Sequence, residues 1–229
     1  LGEEWAQDGL LRGVSNAYYI GGGTGLAEAL KVRRALVPHD SVARSFPKAF
    51  ALKSASGMDW ESLLSARGIN WHYASEKGLG LPLNADQYPE ARAARDPSAA
   101  RILSDTGRRL AEFVALRLRA LHALDEHDST LPGPIAIDRV VIGQRLGQLL
   151  GDARTFDTLE PSFRHELFAR LLQLGLLSGV YDEARLELGS TPAERALSTT
   201  GLVVLSRLRE APALGAAAAA WIAWGRPHA

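Results

Sequence analysis

The chain has no cysteine among its 229 residues, which removes disulfides, thiolate zinc sites and cysteine nucleophiles together. Such a composition fits a reducing compartment, and a cytoplasmic protein is expected. Net charge is absent too, with 26 Lys and Arg against 26 Asp and Glu. Nucleic-acid binders normally carry a basic excess, so no nucleic-acid partner is expected. Long apolar runs are scarce. The longest, residues 211–224, is broken by Pro212 and Gly215; its unbroken part is about ten residues, half of what a bilayer span needs. No membrane partner is expected. The six histidines are scattered and make no ligand cluster, so no protein-held metal, zinc included, is expected.

What is present is ample material for a core. Hydrophobic residues make up 46% of the chain, and a single domain near this length buries about 70% of its unfolded surface. Ala17-Tyr18-Tyr19-Ile20 is a short aromatic and β-branched run that ends in four glycines within five positions. The pattern predicts strand, tight turn, strand. Arg33-Arg34 reads as a second turn before Ala35-Leu36-Val37, which Pro38 stops, so the first forty residues predict an antiparallel meander. Residues 41–94 are irregular, with one short helix capped by Asp59. Residues 86–96 read as an exposed connection. Asp96-Pro97-Ser98 is a helix start, and apolar residues then recur at helical spacing over about 28 residues. Arg108, Arg109, Glu112, Arg117 and Arg119 read as its solvated side. Residues 139–142 predict a buried strand stopped by Gly143, with a helix over 145–150. A helix over 161–177, a strand over 202–205 and an Ala-rich helix over 213–224 complete the pattern. A meander followed by alternating helices and strands implies an α/β domain with a mixed sheet.

Two elements point to chemistry. Glycine tolerates positive φ and lets backbone and ligand approach closely, and successive backbone N–H groups in a glycine turn can converge on an anion. Gly21, Gly22, Gly23, Thr24 and Gly25 are therefore the candidate phosphate-binding residues, Thr24 adding a hydroxyl; an ordinary hairpin is the competing explanation. No Gly-Lys-Ser/Thr follows, so this is not a P-loop. The second element is Val140-Val141-Ile142-Gly143. In open α/β sheets ligands sit outside the carboxyl ends of strands, which makes Gly143, Gln144 and Arg145 candidates to line a nucleotide's adenosine; a plain strand-to-helix turn explains them equally well. Glu28, Asp59 and Asp138 read as caps or surface groups, and His39-Asp40 as a turn. His122 and His127, five apart, do not share a helix face.

In order, these elements resemble the second half of the ROK sugar kinases, within the actin-like ATPase superfamily. Gly23-Thr24-Gly25-Leu26-Ala27-Glu28-Ala29-Leu30 is similar to the family's Gly-Thr-Gly-Ile-Gly-Gly-Gly-Leu phosphate motif, and Val140-Val141-Ile142-Gly143-Gln144 to its adenosine motif. The long helix from Pro97, the strand from Leu202 and Gly215-Ala216-Ala217 follow in the family's order. The resemblance implies an actin-like (ribonuclease H-like) α/β lobe with an antiparallel meander flanked by helices. It also implies ATP-dependent phosphoryl transfer to a sugar hydroxyl, with Mg²⁺ carried by the nucleotide, and a small sugar and a homodimer partner.

The departures are specific. The family's Glu-x-Gly-His sugar contact, its His/Cys zinc cluster and its Asp-x-Gly-Gly-Thr motif are missing from this sequence. The catalytic Asp of the family sits in a segment that Leu1-Gly2-Glu3-Glu4-Trp5 resembles the continuation of. No catalytic residue is therefore assigned within the chain. One is expected just upstream of Leu1, and residues 1–229 are expected to form a C-terminal lobe whose N-terminal lobe lies elsewhere, with 41–95 as an insertion or substrate-side segment. A non-catalytic nucleotide- or sugar-sensing relative is the alternative expectation.

Overall fold

In a computed structural model of the chain, residues 11, 13–124, 131, 133–177, 179–181, 201–206 and 208 are described. Strand β1 (Ala17–Gly22) and strand β2 (Leu26–Val32) form an antiparallel hairpin, with Ile20 opposite Glu28 and Gly22 opposite Leu26. Strand β3 (Ala35–Val37) returns through Arg33 and Arg34, whose φ values are +49° and +69°. Two consecutive positive φ angles are the geometry of a two-residue hairpin that matches strand twist. Neither residue is glycine, and neighbouring groups hold the turn: Arg33 N donates to Asn16 Oδ1 at 2.9 Å and Arg34 N to Ser15 O at 2.9 Å.

The segment expected to be irregular is largely helical. Helix α1 (His39–Val42) occupies the expected turn at His39. Helix α2 (Trp60–Leu64) is capped by Asp59, whose carboxylate accepts from Ser62 N at 2.7 Å, as expected. Helix α3 (Ala66–Lys77) was not anticipated from the apolar spacing. Its ends carry ordinary signals, Ser65 accepting from Gly68 N and Gly78 closing it at φ +63°. Helix α4 (Pro89–Arg92) corrects the reading of 86–96 as an exposed connection, because Pro89 and Glu90 are buried.

Helix α5 (Pro97–His122) starts as predicted, with Asp96 at its cap and Pro97 in its first turn. Strand β4 (Arg139–Gly143) and helix α6 (Gln144–Gly151) follow. Helix α7 (Phe156–Gln173) begins earlier than expected and contains Pro161 in its interior. It stops at Gly175, whose φ is +68°. Strand β5 (Val203–Leu205) is one residue shorter than predicted. The Ala-rich helix predicted over 213–224, the Gly215-Ala216-Ala217 segment and residues 1–6 lie outside the described residues.

The sheet order is β3-β2-β1-β4-β5, antiparallel across β3, β2 and β1 and parallel across β1, β4 and β5. Side chains alternate across it. Tyr18, Ile20, Leu30, Val140 and Ile142 join the main core with Leu110, Phe113 and Val114 of α5 and Phe163 and Leu167 of α7. Ala17, Tyr19, Val141 and Val204 face the other way, with Leu11 and Val14. Helices α5 and α7 approach closely where Gly107 lies: a Cβ there would stand 2.5 Å from Leu159 O.

Candidate functional site

Strand β1 is where the sheet changes from antiparallel to parallel pairing, with β2 on one side and β4 on the other. Its parallel neighbour β4 is in a register that sets Gly21 opposite Gly143, with a further bridge between Gly22 and Gln144. The fold thus brings the glycine turn and the Gly143-Gln144-Arg145 segment side by side at the carboxyl ends of two adjacent strands, the place where open α/β sheets form crevices.

At the turn, glycine is needed for close approach rather than for left-handed backbone. None of Gly21, Gly22, Gly23 and Gly25 has positive φ. A Cβ on Gly22 would meet Leu64 O at 2.6 Å and Leu146 Cγ at 2.8 Å, so this strand end lies against α2 and α6. A Cβ on Gly21 would meet Tyr19 Oη at 2.7 Å, and on Gly143 the same phenol. The Tyr19 ring therefore occupies the space that the missing side chain at 143 was expected to leave for a nucleotide. The turn closes on itself through Gly23 N donating to Gly25 O at 2.9 Å, and Gly23 O accepts from Ala66 N at 2.8 Å. The N–H groups of Thr24 and Gly25 have no acceptor among the described residues, and Thr24 is exposed at the tip.

Two side-chain oxygens already lie against the turn. Glu61 Oε2 accepts from Leu26 N at 3.2 Å and sits 3.1 Å from where a Gly25 Cβ would be. Gln144 Oε1 lies 2.9 Å from the equivalent point on Gly23, buried and with no hydrogen-bond partner among the described residues. Gln144 has φ +53°, an uncommon conformation for a non-glycine residue, and it begins α6 directly after the strand.

Arg145 ion-pairs with Glu90 of α4 and lies over the Tyr88 ring, its guanidinium carbon 5.0 Å from the centroid. Burial, first among its causes, pulls the Arg145 guanidinium below its ordinary value. The other Glu90 oxygen, Oε2, is buried without a described partner.

Glu28 and Arg117 correct the expectation of surface roles. Their side chains are 3% and 1% exposed and form an ion pair at 2.8 Å. Glu28 Oε1 also accepts from Tyr18 Oη at 2.6 Å, and Oε2 from Ala49 N at 2.7 Å. Burial first, then the Glu28 carboxylate, raises the Tyr18 phenol well above its ordinary value, keeping it the donor. Arg117 lies over Phe46, its guanidinium carbon 3.4 Å from the ring centroid. The signal was in the spacing, since Arg117 falls on the buried stripe of Leu110, Phe113, Val114 and Leu121. Asp138 serves as a cap, accepting from Ser15 N at 3.0 Å and Asn16 N at 2.8 Å.

Of the histidines singled out, His39 lies beside Phe46, His122 ends α5, and His127 lies outside the described residues. No group of three or more His, Cys, Asp or Glu that could hold a metal ion occurs among the described residues. No described helix is long and apolar enough to cross a membrane.

The architecture, a mixed sheet with an antiparallel meander on one side and helices packed against it, is similar to the actin-like ATPase fold. Within that class the fold is the one found in ROK-family sugar kinases. A glucokinase from Parabacteroides distasonis is similar over 93% of this chain and 59% of its own, with a TM-score of 0.57 and 16% identity. A ROK family protein from Streptococcus pneumoniae, solved with sucrose, is similar over 97% and 62%, with a TM-score of 0.53 and 14% identity. A ROK hexokinase from Thermus thermophilus is similar over 73% and 54%, with a TM-score of 0.50 and 15% identity. The chain thus spans less than two thirds of the length of each of these structures. No family model matches the chain, and no curated protein matches it.

Proposed function

We propose that the chain is the C-terminal, nucleotide-side lobe of a two-lobed ATP-dependent carbohydrate kinase. The observation that carries this reading is the parallel register that sets Gly21 opposite Gly143, bringing both glycine elements to one end of the sheet. In this assignment Gly21 to Gly25 hold phosphate. The donors are the N–H groups of Thr24 and Gly25, which have no acceptor among the described residues, and the Thr24 hydroxyl. Gly143, Gln144 and Arg145 border the adenosine, with Tyr19 as the floor beside Gly143 and the Glu90 pair fixing Arg145. ATP supplies the phosphoryl group when bound, and Mg²⁺ accompanies it, held mainly by phosphate and water. Phosphoryl transfer depends on positioning and on charge stabilisation from several sides, which one lobe cannot complete. The acceptor sugar, the catalytic carboxylate upstream of Leu1 and residues 41–95 as a substrate-side segment belong to the whole protein in this reading. So do a cytoplasmic setting and a homodimer.

A second reading, a nucleotide- or sugar-sensing relative without catalysis, is favoured by one observation. The glycine surfaces of the turn are already covered by Glu61 and Gln144.

Thermal unfolding with and without ATP tests the binding step. A ligand at 100 times its Kd stabilises by about 2.7 kcal/mol, and Gly23→Val, which drives a side chain into Gln144, is expected to abolish that gain. No ATP-dependent rise in Tm for the wild-type chain refutes the kinase reading and the nucleotide-sensing form of the second reading, leaving only a sugar sensor. A coupled ATPase assay on the full-length protein with a panel of sugars separates them, because a sensor binds without turnover.

A further inference from the structure

The carboxylate at the turn has a consequence for which form of a polyphosphate can enter. Glu61 is the first-turn acidic residue of α2, and Asp59, two residues earlier, fixes that turn by accepting from Ser62 N and from Ser62 Oγ. Helix α2 is itself tied to the clamp, since Leu64 O packs against Gly22 and Ala66 N donates to Gly23 O. Glu61 is therefore held at the turn by its helix, and its Oε2 takes the Leu26 N–H at 3.2 Å while standing 3.1 Å from where a Gly25 Cβ would be. Any phosphate seated on the neighbouring N–H groups of Thr24 and Gly25 comes within a few ångströms of a fixed negative charge. A divalent cation reverses the sign of that contact: Mg²⁺ is bound through one or two carboxylates together with substrate phosphates and keeps several waters.

We propose that Glu61 is a specificity-determining residue of the turn, rejecting an uncomplexed polyphosphate and admitting its complex with a divalent cation. This rests on the nucleotide reading above. Glu61 excludes by charge and selects by completing the shell of the cation that the phosphates bring. A lone carboxylate suffices because the phosphates and water supply the other ligands, so no preformed cluster is needed.

Calorimetric titration of the chain with ATP, in EDTA and in excess Mg²⁺, tests this for wild type, Glu61→Gln and Glu61→Ala. Wild type is expected to bind the magnesium complex at least about tenfold more tightly than free ATP, a like-charge contact at this range being worth from about fivefold in bulk water to about a thousandfold near a protein surface. Glu61→Gln keeps an acceptor for Leu26 N–H and removes only the charge. It is expected to shrink that ratio at least severalfold, chiefly by tightening free ATP, and Glu61→Ala to do the same. Unfolding curves for all three check that the fold is retained. An unchanged ratio in both variants overturns the role of Glu61 and leaves nucleotide binding standing. Failure of wild type to bind either form of ATP removes the nucleotide reading and this inference with it.

Discussion

Replacing Arg117 with Met isolates the energetics of the buried charge under the hairpin. The substitution keeps a long apolar side chain against Phe46 and Phe113 but deletes the guanidinium. Glu28, 3% exposed, is then left with two neutral donors, the Tyr18 hydroxyl at 2.6 Å and Ala49 N–H at 2.7 Å. Removing one partner of a buried pair costs about 3–5 kcal/mol, because the remaining charge stays desolvated. The loss of the cation stacked on Phe46 adds up to about 2 kcal/mol when it is desolvated, partly offset by Met packing on the same ring. Against a total stability of about 5–15 kcal/mol, this is a large fraction. For a chain of this size each kcal/mol shifts Tm by about 2–4 °C, so Arg117→Met is expected to lower it by about 6–20 °C. Replacing the pair together behaves differently, since no uncompensated buried charge is then left behind. The double variant Arg117→Met with Glu28→Gln is expected to recover most of the loss, to within about 1–2 kcal/mol of wild type. Chemical denaturation of wild type, both single variants and the double variant gives the coupling energy directly. A loss below about 1 kcal/mol for Arg117→Met, the value expected of an exposed pair, refutes the reasoning, as does simple additivity in the double variant.

Two further outcomes follow from the packing and the caps. Gly107→Ala, stabilising by up to about 1 kcal/mol in an exposed helix, is expected here to cost about 1–3 kcal/mol, because its Cβ would stand 2.5 Å from Leu159 O; equilibrium denaturation gives the sign. Asp59→Ala is expected to cost about 1 kcal/mol at neutral pH through loss of the α2 cap. The Ser62 N–H holds the Asp59 carboxyl below its ordinary value, so its contribution is present above about pH 4 and is lost as pH falls through the lower folded value. The Tm gap between wild type and variant therefore narrows from pH 6 to pH 3, and a constant gap contradicts the role of the charge.

The strands and the long helix were legible because periodicity and punctuation agreed. The aromatic and β-branched run marked β1, glycine and Pro38 bounded the meander, and Asp96-Pro97 opened α5. Helix α3 escaped because only Gly68, Ile69, Tyr73 and Ala74 are buried along its twelve residues, too few to make an apolar stripe. Its caps at Ser65 and Gly78 were the readable sign. Arg117 was misread because charge was given more weight than position on the helix. At the candidate site the two glycine segments were visible one at a time. Their adjacency was not, since it depends on a register between residues more than a hundred positions apart. Nor was the placement of Glu61, whose meeting with Leu26 N is set by how α2 seats against the hairpin. The space beside Gly143 was also misjudged, because nothing local announces that Tyr19, from another strand, lies across it.

The pairing of β1 with β4 also constrains the order in which the molecule can assemble. The hairpin of β1 and β2 closes across only a few residues and can form early, as local contacts do. Its partnership with β4 joins Ala17 to Arg139, so it must wait until the intervening chain, including the whole of α5, has been brought back to the sheet. Closing so long a loop is slow. The end of the sheet that carries Gly21, Gly143 and Gln144 therefore exists only after that long-range pairing has formed. Partly folded forms would hold the glycine turn without its neighbour, so the two glycine elements meet only once β1 and β4 have paired.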